Sequence, residues 1–124
     1  HDISDLKLPA MFLSSDCIYE NITENNTEDM RIISLSYSTN KLSGRVSIRE
    51  FKSEEFIPSV DFQNTTSYSQ AEELSVNGLT VFVIEQGDFC SIAYQDNLTQ
   101  YMMYLNTDFA ETVEIAKTLT AAEE

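Results

Sequence analysis

The chain has 124 residues, a length that predicts one domain spanning residues 1–124. Apolar residues make up 42% and charged residues 23% of the chain, as in ordinary globular domains. Seven Lys and Arg stand against 21 Asp and Glu, which gives a formal net charge of −14. This charge argues against nucleic acid as a partner and against membrane contact by the domain itself, since both require a basic footprint.

The first part of the chain predicts strands separated by polar turns. Residues 12–21 mix apolar and polar side chains and predict a first strand, whereas the Asn-, Thr- and acid-rich residues 20–29 predict a turn or solvated loop. Apolar side chains then recur at every second position in residues 31–37 and again in residues 45–51, as in half-buried strands. Residues 39–44 between them have turn chemistry, so that the two strands are expected to form an antiparallel hairpin.

The middle of the chain has the weakest pattern. Residues 52–68 contain Pro58 and few repeating apolar positions, and they predict a long excursion. Loops longer than about 12–15 residues are uncommon unless they are functional, so this segment is the first place to look for a site. Residues 71–76 fit either a short strand or a helical turn, and the pattern leaves that choice open.

The next stretch predicts a meander of three strands. Asn77 and Gly78 form the strongest turn signal in the chain, because both tolerate the positive φ of a type I′ turn. Residues 79–86 are dense in β-branched and aromatic side chains, and we expect them to form the central strand. Residues 89–95 and 98–105 follow as strands after short turns.

The end of the chain changes to helical periodicity. Asp108 is placed to cap a helix, with Glu111 three residues later as in a capping box. Phe109, Val113 and Ala116 then fall on one helical face and are expected to cover one face of the sheet. The predicted fold class is α+β: an antiparallel sheet of about six to seven strands, in a meander, curved around one C-terminal helix. The other sheet face is left solvated, closed by the long excursion, or closed by a partner.

The sequence is rich in acidic residues, but it carries few motifs for catalysis or for metal or cofactor binding. The only histidine is His1, which argues against imidazole base catalysis. The chain contains no G-x-S-x-G, H-E-x-x-H or G-x-x-x-x-G-K-[ST] motif. We therefore predict a protein that is not an enzyme and that holds neither a metal nor a cofactor.

Cys17 and Cys90 are the only cysteines, and their spacing excludes a C-x-x-C redox pair or zinc knuckle. Three alternatives stay open: two buried thiols, one disulfide between Cys17 and Cys90, or a reactive thiol. An intact disulfide would support an extracytoplasmic location.

Four N-x-[ST] sequons begin at Asn21, Asn25, Asn64 and Asn97. In a secreted eukaryotic chain they would be glycosylation acceptors on loops. Asn, Ser and Thr are so common in this chain that composition alone explains several such matches.

The aromatic set Tyr94, Tyr101 and Tyr104 is the most site-like feature of the sequence. In the last predicted strand Tyr101 points to one face and Tyr104 to the other. Two interpretations follow. Either one part of the set is core and the other covers the open sheet face, or the tyrosines form a concave ligand-binding surface together with nearby methionines.

Several short motifs resemble a family of bacterial domains of unknown function. They are the segment at 76–79 (VNGL) opening a meander, Tyr94-Gln95 at a strand end, the helix at 108–119, and the opening segment at 8–12 (LPAMF). Members of this family look like C-terminal extracytoplasmic domains that follow one transmembrane helix, often in Gram-positive bacteria, and some are anti-sigma-factor-like. This chain departs from the family pattern with Met11 in place of a Gly and Tyr94 in place of a Trp.

The resemblance implies a fold similar to the LolA-like and RseB-like periplasmic domains, in which the concave sheet binds lipid or a regulatory peptide. We therefore expect an extracytoplasmic sensor or binding domain at the extracellular face of a Gram-positive cell membrane, anchored by an upstream transmembrane helix. Its ligand would be a protein, peptide or apolar molecule on the open sheet face. The alternatives are a carrier for a lipid or other apolar ligand held between helix and sheet, and a secreted interaction or inhibitor protein.

Overall fold

A computed structural model describes residues 8–51, 70–96 and 98–119. The predicted excursion at 52–68 and the sequons at Asn64 and Asn97 lie outside the described residues. Within these ranges the chain forms two helices and seven strands. In chain order they are α1 (Ala10–Leu13), β1 (Ile18–Asn26), β2 (Met30–Ser38), β3 (Ser43–Phe51), β4 (Gln70–Val76), β5 (Leu79–Gln86), β6 (Phe89–Asp96), β7 (Thr99–Leu105) and α2 (Phe109–Ala116).

All seven strands belong to one antiparallel sheet with the order β1-β2-β3-β7-β6-β5-β4. The first three strands form one meander and the last four form a second, and β3 pairs with β7 to join them. The predicted α+β class with its antiparallel sheet and C-terminal helix is therefore confirmed. Residues 71–76, for which the sequence left two choices, belong to strand β4.

The prediction that residues 79–86 form the central strand is wrong, because β7 is central and β5 lies second from an edge. The apolar density of β5 has a different cause, since side chains on both of its faces are buried. Val81 and Val83 are fully buried on one face, and Ile84 is 1% exposed on the other.

The start of the chain also differs from the prediction. Residues 10–13 form the short helix α1, and the strand begins only at Ile18 and continues through the predicted loop to Asn26. β1 is an edge strand that pairs only with β2, and most of its side chains are exposed. Backbone hydrogen bonds hold most of this strand, so it needs no alternating apolar side chains. Two side chains add contacts: the Tyr19 hydroxyl donates to the Phe12 carbonyl at 2.6 Å, and Glu24 pairs with Arg31. A bulge follows Glu20, where Asn21 takes a left-handed φ of 54°.

Side chains alternate between two faces of the sheet. The inner face packs under the helices and holds most of the core, with Ile33, Leu35, Tyr37, Val46, Ile48, Val81, Val83, Ile92, Tyr94, Tyr101 and Met103. The outer face is the opposite one, and on the four strands β2, β3, β7 and β6 it carries Met30, Ile32, Ser34, Ser36, Ser38, Ser43, Arg45, Ser47, Arg49, Phe51, Gln100, Met102, Tyr104, Phe89, Ser91, Ala93 and Gln95.

The C-terminal helix covers the inner face as predicted. Asp108 Oδ1 accepts a hydrogen bond from Glu111 N at 2.8 Å, which confirms the helix cap. The Glu111 carboxylate does not complete a capping box, because its Oε1 accepts from Thr107 Oγ1 at 3.0 Å instead. Val113 and Ala116 are buried toward β5 and β6. Neither helix in the described ranges is long and apolar enough to cross a membrane.

The two ends of the described chain meet beside α2. Pro9 and Leu119 form an isolated antiparallel bridge, and Ala10 N donates to Thr118 Oγ1 at 3.0 Å. The side chain of Asn77, in the predicted Asn-Gly turn, donates to the Leu119 carbonyl. The φ angle is 51° at Asn77 and 84° at Gly78, and both are positive, as expected of a type I′ turn. These contacts hold the terminal segments over the inner face.

Candidate functional site

The three tyrosines singled out in the sequence do not share one surface. Tyr94 and Tyr101 face each other across β6 and β7 on the inner face, with stacked rings whose centroids are 4.8 Å apart. Their exposed fractions are 0% and 6%, and burial raises the pKa of the Tyr94 hydroxyl well above its usual value. Both rings are therefore part of the core. Tyr104 alone lies on the outer face, in agreement with the alternation in β7.

Tyr104 is half-buried within an aromatic and sulfur cluster on the outer face. Its ring makes an edge contact with Phe89 at a centroid distance of 5.6 Å. The Tyr104 hydroxyl donates to Met102 Sδ at 2.9 Å. Phe89 is 40% exposed, so this cluster offers apolar surface to a partner.

Two hollows adjoin this cluster, and together they define the outer-face site. The smaller, of about 100 Å³, is lined by Ser47, Arg49, Ala93, Gln100, Tyr101, Met102 and Tyr104. The larger, of about 460 Å³, is lined by Ser34, Arg45, Val46, Ser47, Phe89 and Tyr104. Ser47 and Tyr104 border both hollows, and each hollow contains one arginine.

The outer-face site is positively charged although the protein is strongly acidic. Arg45 and Arg49 are exposed, and neither forms an ion pair with any residue of the described ranges. The outer face of β2, β3, β7 and β6 carries no Asp or Glu at its described positions. Arg31 has the opposite environment, since it bonds to Glu50 and Glu24 and these carboxylates raise its pKa.

Sequence reasoning missed the two arginines as site residues. The alternation of β3 placed Arg49 and Ser47 on one face, but a single strand gives no indication of which strands flank it. The useful signal was the Arg-x-Ser-x-Arg spacing at Arg45, Ser47 and Arg49 in a chain of net charge −14. The pairing of β3 with β7 then brings Tyr104 directly opposite Arg45.

A second concave region lies on the helix side of the sheet. This cleft, of about 370 Å³, is formed where α1, the β2–β3 turn and α2 meet. Met11, Leu42 and Ile115 provide its apolar lining. Asp16, Lys41 and Glu111 are the charged residues at its border.

The disulfide between Cys17 and Cys90 is not present, because both cysteines are free and buried. The strands β2, β3 and β7 separate β1 from β6, a spacing of roughly 19 Å in a flat sheet. A disulfide needs Cα atoms within about 7 Å of each other. Burial raises the pKa of both thiols, and Cys90 Sγ also lies 3.4 Å from the Thr107 carbonyl. The structure thus contains two buried free thiols, the first of the three alternatives.

The sequon residues Asn21 and Asn25 are both exposed on the edge strand β1. Within the described ranges no group of three or more His, Cys, Asp and Glu side chains is arranged to hold a metal ion. Comparisons of the chain with protein-family models, curated proteins and solved structures found no match.

Proposed function

We propose that the chain is a non-enzymatic binding domain that engages a peptide or protein partner through the outer-face site. The observation that carries this proposal is the combination of an exposed aromatic cluster at Phe89 and Tyr104 with two exposed arginines. Tyr and Arg are the residue types that most often dominate binding energies at interfaces. Met102 adds a flexible, polarisable contact surface beside them.

The position of the site in the sheet favours binding as well. The site lies on β3, which carries Arg45, Ser47 and Arg49, and on the central strand β7, which carries Tyr104. Both strands are paired with a neighbouring strand on each side. Backbone held in this way loses little conformational entropy when a partner binds, so more of the contact energy contributes to affinity.

We further propose that this binding takes place outside the cell, with the domain serving as a sensor at the surface of a Gram-positive bacterium and anchored by an upstream transmembrane helix. The family resemblance of residues 8–12 and 76–79 supports this location. The test is the sequence encoded upstream of His1, where we expect an apolar run of roughly 20 residues. A polar upstream sequence without such a run would contradict the anchor.

The binding function can be tested with a random peptide display library selected on the immobilised domain. Tyr104→Ser removes the aromatic ring from the site, and Leu13→Ser removes an apolar side chain that is 40% exposed on helix α1, on the other side of the sheet. We expect selected peptides to bind Tyr104→Ser at least about tenfold more weakly and Leu13→Ser within about twofold of the unchanged protein. The proposal fails if no peptide is enriched, or if both variants bind equally well.

The cleft on the helix side supports a second candidate function, a carrier for a lipid or other apolar ligand. Its volume of about 370 Å³ lies at the lower end of the range for small-molecule pockets, and Met11, Leu42 and Ile115 make it partly apolar. A fluorescent fatty-acid analogue, displaced by a lipid extract, would report such binding. We expect Ile115→Glu to abolish the signal and Leu13→Glu, at a 40% exposed position, to leave it unchanged. A signal that does not saturate would count against the carrier.

A further inference from the structure

Building on the proposed function, we infer that the partner of the outer-face site is an extended acidic segment of a protein, with Arg45 and Arg49 each binding one carboxylate. The two guanidinium groups lie on the same face of one strand and each borders a different hollow. A single anion would engage only one of them. Two anionic groups at a fixed separation would engage both.

The spacing of the two arginines matches an extended peptide. Four residues of a β-strand span about 13 Å, which is the separation of Arg45 and Arg49 along β3. In an extended peptide lying along β3, side chains at positions i, i+2 and i+4 face the sheet with the same repeat. Carboxylates at i and i+4 would then reach the two guanidiniums. The expected sequence pattern is therefore Asp/Glu-x-x-x-Asp/Glu.

The middle position of that pattern faces a different surface. Ser47 lies between the arginines, and β7 places Met102 directly opposite Ser47 and Tyr104 opposite Arg45. A small or apolar side chain at i+2 would contact Met102, whose thioether adapts to different shapes. The preferred core of the segment is thus acidic-x-apolar-x-acidic.

The charge distribution favours this occupant over a neutral one. The outer face of β2, β3, β7 and β6 has no carboxylate at its described positions. Glu20 on the edge strand β1 lies on the same face, two strands from Arg45, and the two side chains form no ion pair. Arginine binds carboxylates through two parallel hydrogen bonds, a geometry that adds both strength and direction. The net charge of −14 does not prevent this, because charges beyond about 8 Å are largely screened at physiological ionic strength.

The test uses the same display library with variants of matched charge. Arg45→Gln combined with Arg49→Gln removes two positive charges from the site. Lys41→Gln combined with Lys117→Gln removes two from elsewhere on the protein, where both lysines are exposed. We expect the peptides selected on the unchanged protein to be enriched in Asp and Glu four positions apart.

The selected peptides should then bind the arginine double variant at least about tenfold more weakly, and the lysine double variant within about twofold of the unchanged protein. Raising the salt concentration from about 50 mM to about 500 mM should weaken binding to the unchanged protein but hardly affect the arginine double variant.

Four outcomes would overturn the inference in distinguishable ways. If neutral peptides are selected and their binding depends on Tyr104, the proposed function stands and the acidic partner is wrong. If no peptide is selected, the proposed function itself fails. If both double variants lose affinity equally, the arginines do not recognise an acidic segment. The same conclusion follows if the domain binds vesicles of anionic lipid through Arg45 and Arg49 and does not bind acidic peptides.

Discussion

Replacing Gly44 with alanine is expected to destabilise the protein more than any other glycine substitution in the described chain. Gly44 lies on β3 where a Cβ atom would be 1.9 Å from the backbone oxygen of Tyr104 and 3.0 Å from the Tyr37 hydroxyl. The nearest atom is backbone, so no side-chain rotation relieves the clash. The β3–β7 pair must open, and the Tyr37 hydroxyl, which donates to the Tyr104 carbonyl at 2.9 Å, must move as well.

The expected cost of Gly44→Ala combines two contributions. Forcing a methyl group into packed structure costs about 1–3 kcal/mol, and losing the hydrogen bond between Tyr37 and Tyr104 costs about 1 kcal/mol more. The free energy of unfolding should therefore fall by about 2–4 kcal/mol. For a chain of this size, that lowers the melting temperature by roughly 6–20 °C.

The measurement is urea unfolding followed by circular dichroism, with Gly78→Ala as the control. A Cβ at Gly78 meets nothing within 4 Å, so this substitution carries only the strain of the positive φ, about 1 kcal/mol. If Gly44→Ala unfolds at the same urea concentration as the unchanged protein, the close approach of β3 and β7 is wrong.

Two further predictions concern the helix cap and the thiols. Asp108→Ala should lower the free energy of unfolding by about 1 kcal/mol, because Glu111 N loses its hydrogen-bond acceptor. Asp108→Asn should restore most of that loss. Equal stability of the two variants and the unchanged protein would contradict the cap. Burial raises the pKa of the Cys17 and Cys90 thiols in the folded protein. The stability that the two protonated thiols contribute is therefore fully present below their unfolded-state pKa of about 8.5, and it is lost as the pH rises through their folded-state pKa values. The urea concentration at the unfolding midpoint should therefore decrease as the pH is raised from about 7.5 to about 9.5. The double variant Cys17→Ala/Cys90→Ala should show a smaller decrease. An equal decrease in both proteins would contradict the assignment to the thiols.

The period of the apolar side chains, two residues in strands and about 3.6 in the helix, predicted the elements that are buried on one face. The strand at 31–37, the strand at 45–51 and the C-terminal helix all have an inner face in the core, and that burial imposes a visible period on the sequence. The edge strand β1 has almost no buried side chain, so its sequence carries no such period. Its start falls within the strand predicted at 12–21, but most of it falls within the loop predicted at 20–29. Its pairing with β2 depends mainly on backbone hydrogen bonds, which every sequence can form.

The outer-face site could be predicted only in part, for a related reason. Alternation within β7 correctly separated Tyr101 from Tyr104, but the strand order decides which side chains become neighbours across strands. The pairing of β3 with β7 links residues roughly 60 positions apart, and no local pattern encodes it. The proximity of Arg45 to Tyr104 therefore follows from the strand order and could not be predicted from either strand alone.

The most direct test of the binding surface is to map a selected peptide onto the protein by backbone amide chemical shifts. We expect the largest changes on titration at Ser47 and Arg49 on β3 and at Tyr104 on β7. We expect little change at Leu42 and Ile115, which line the cleft on the helix side. Changes concentrated at that cleft, with β3 and β7 unaffected, would contradict a binding surface on the outer face.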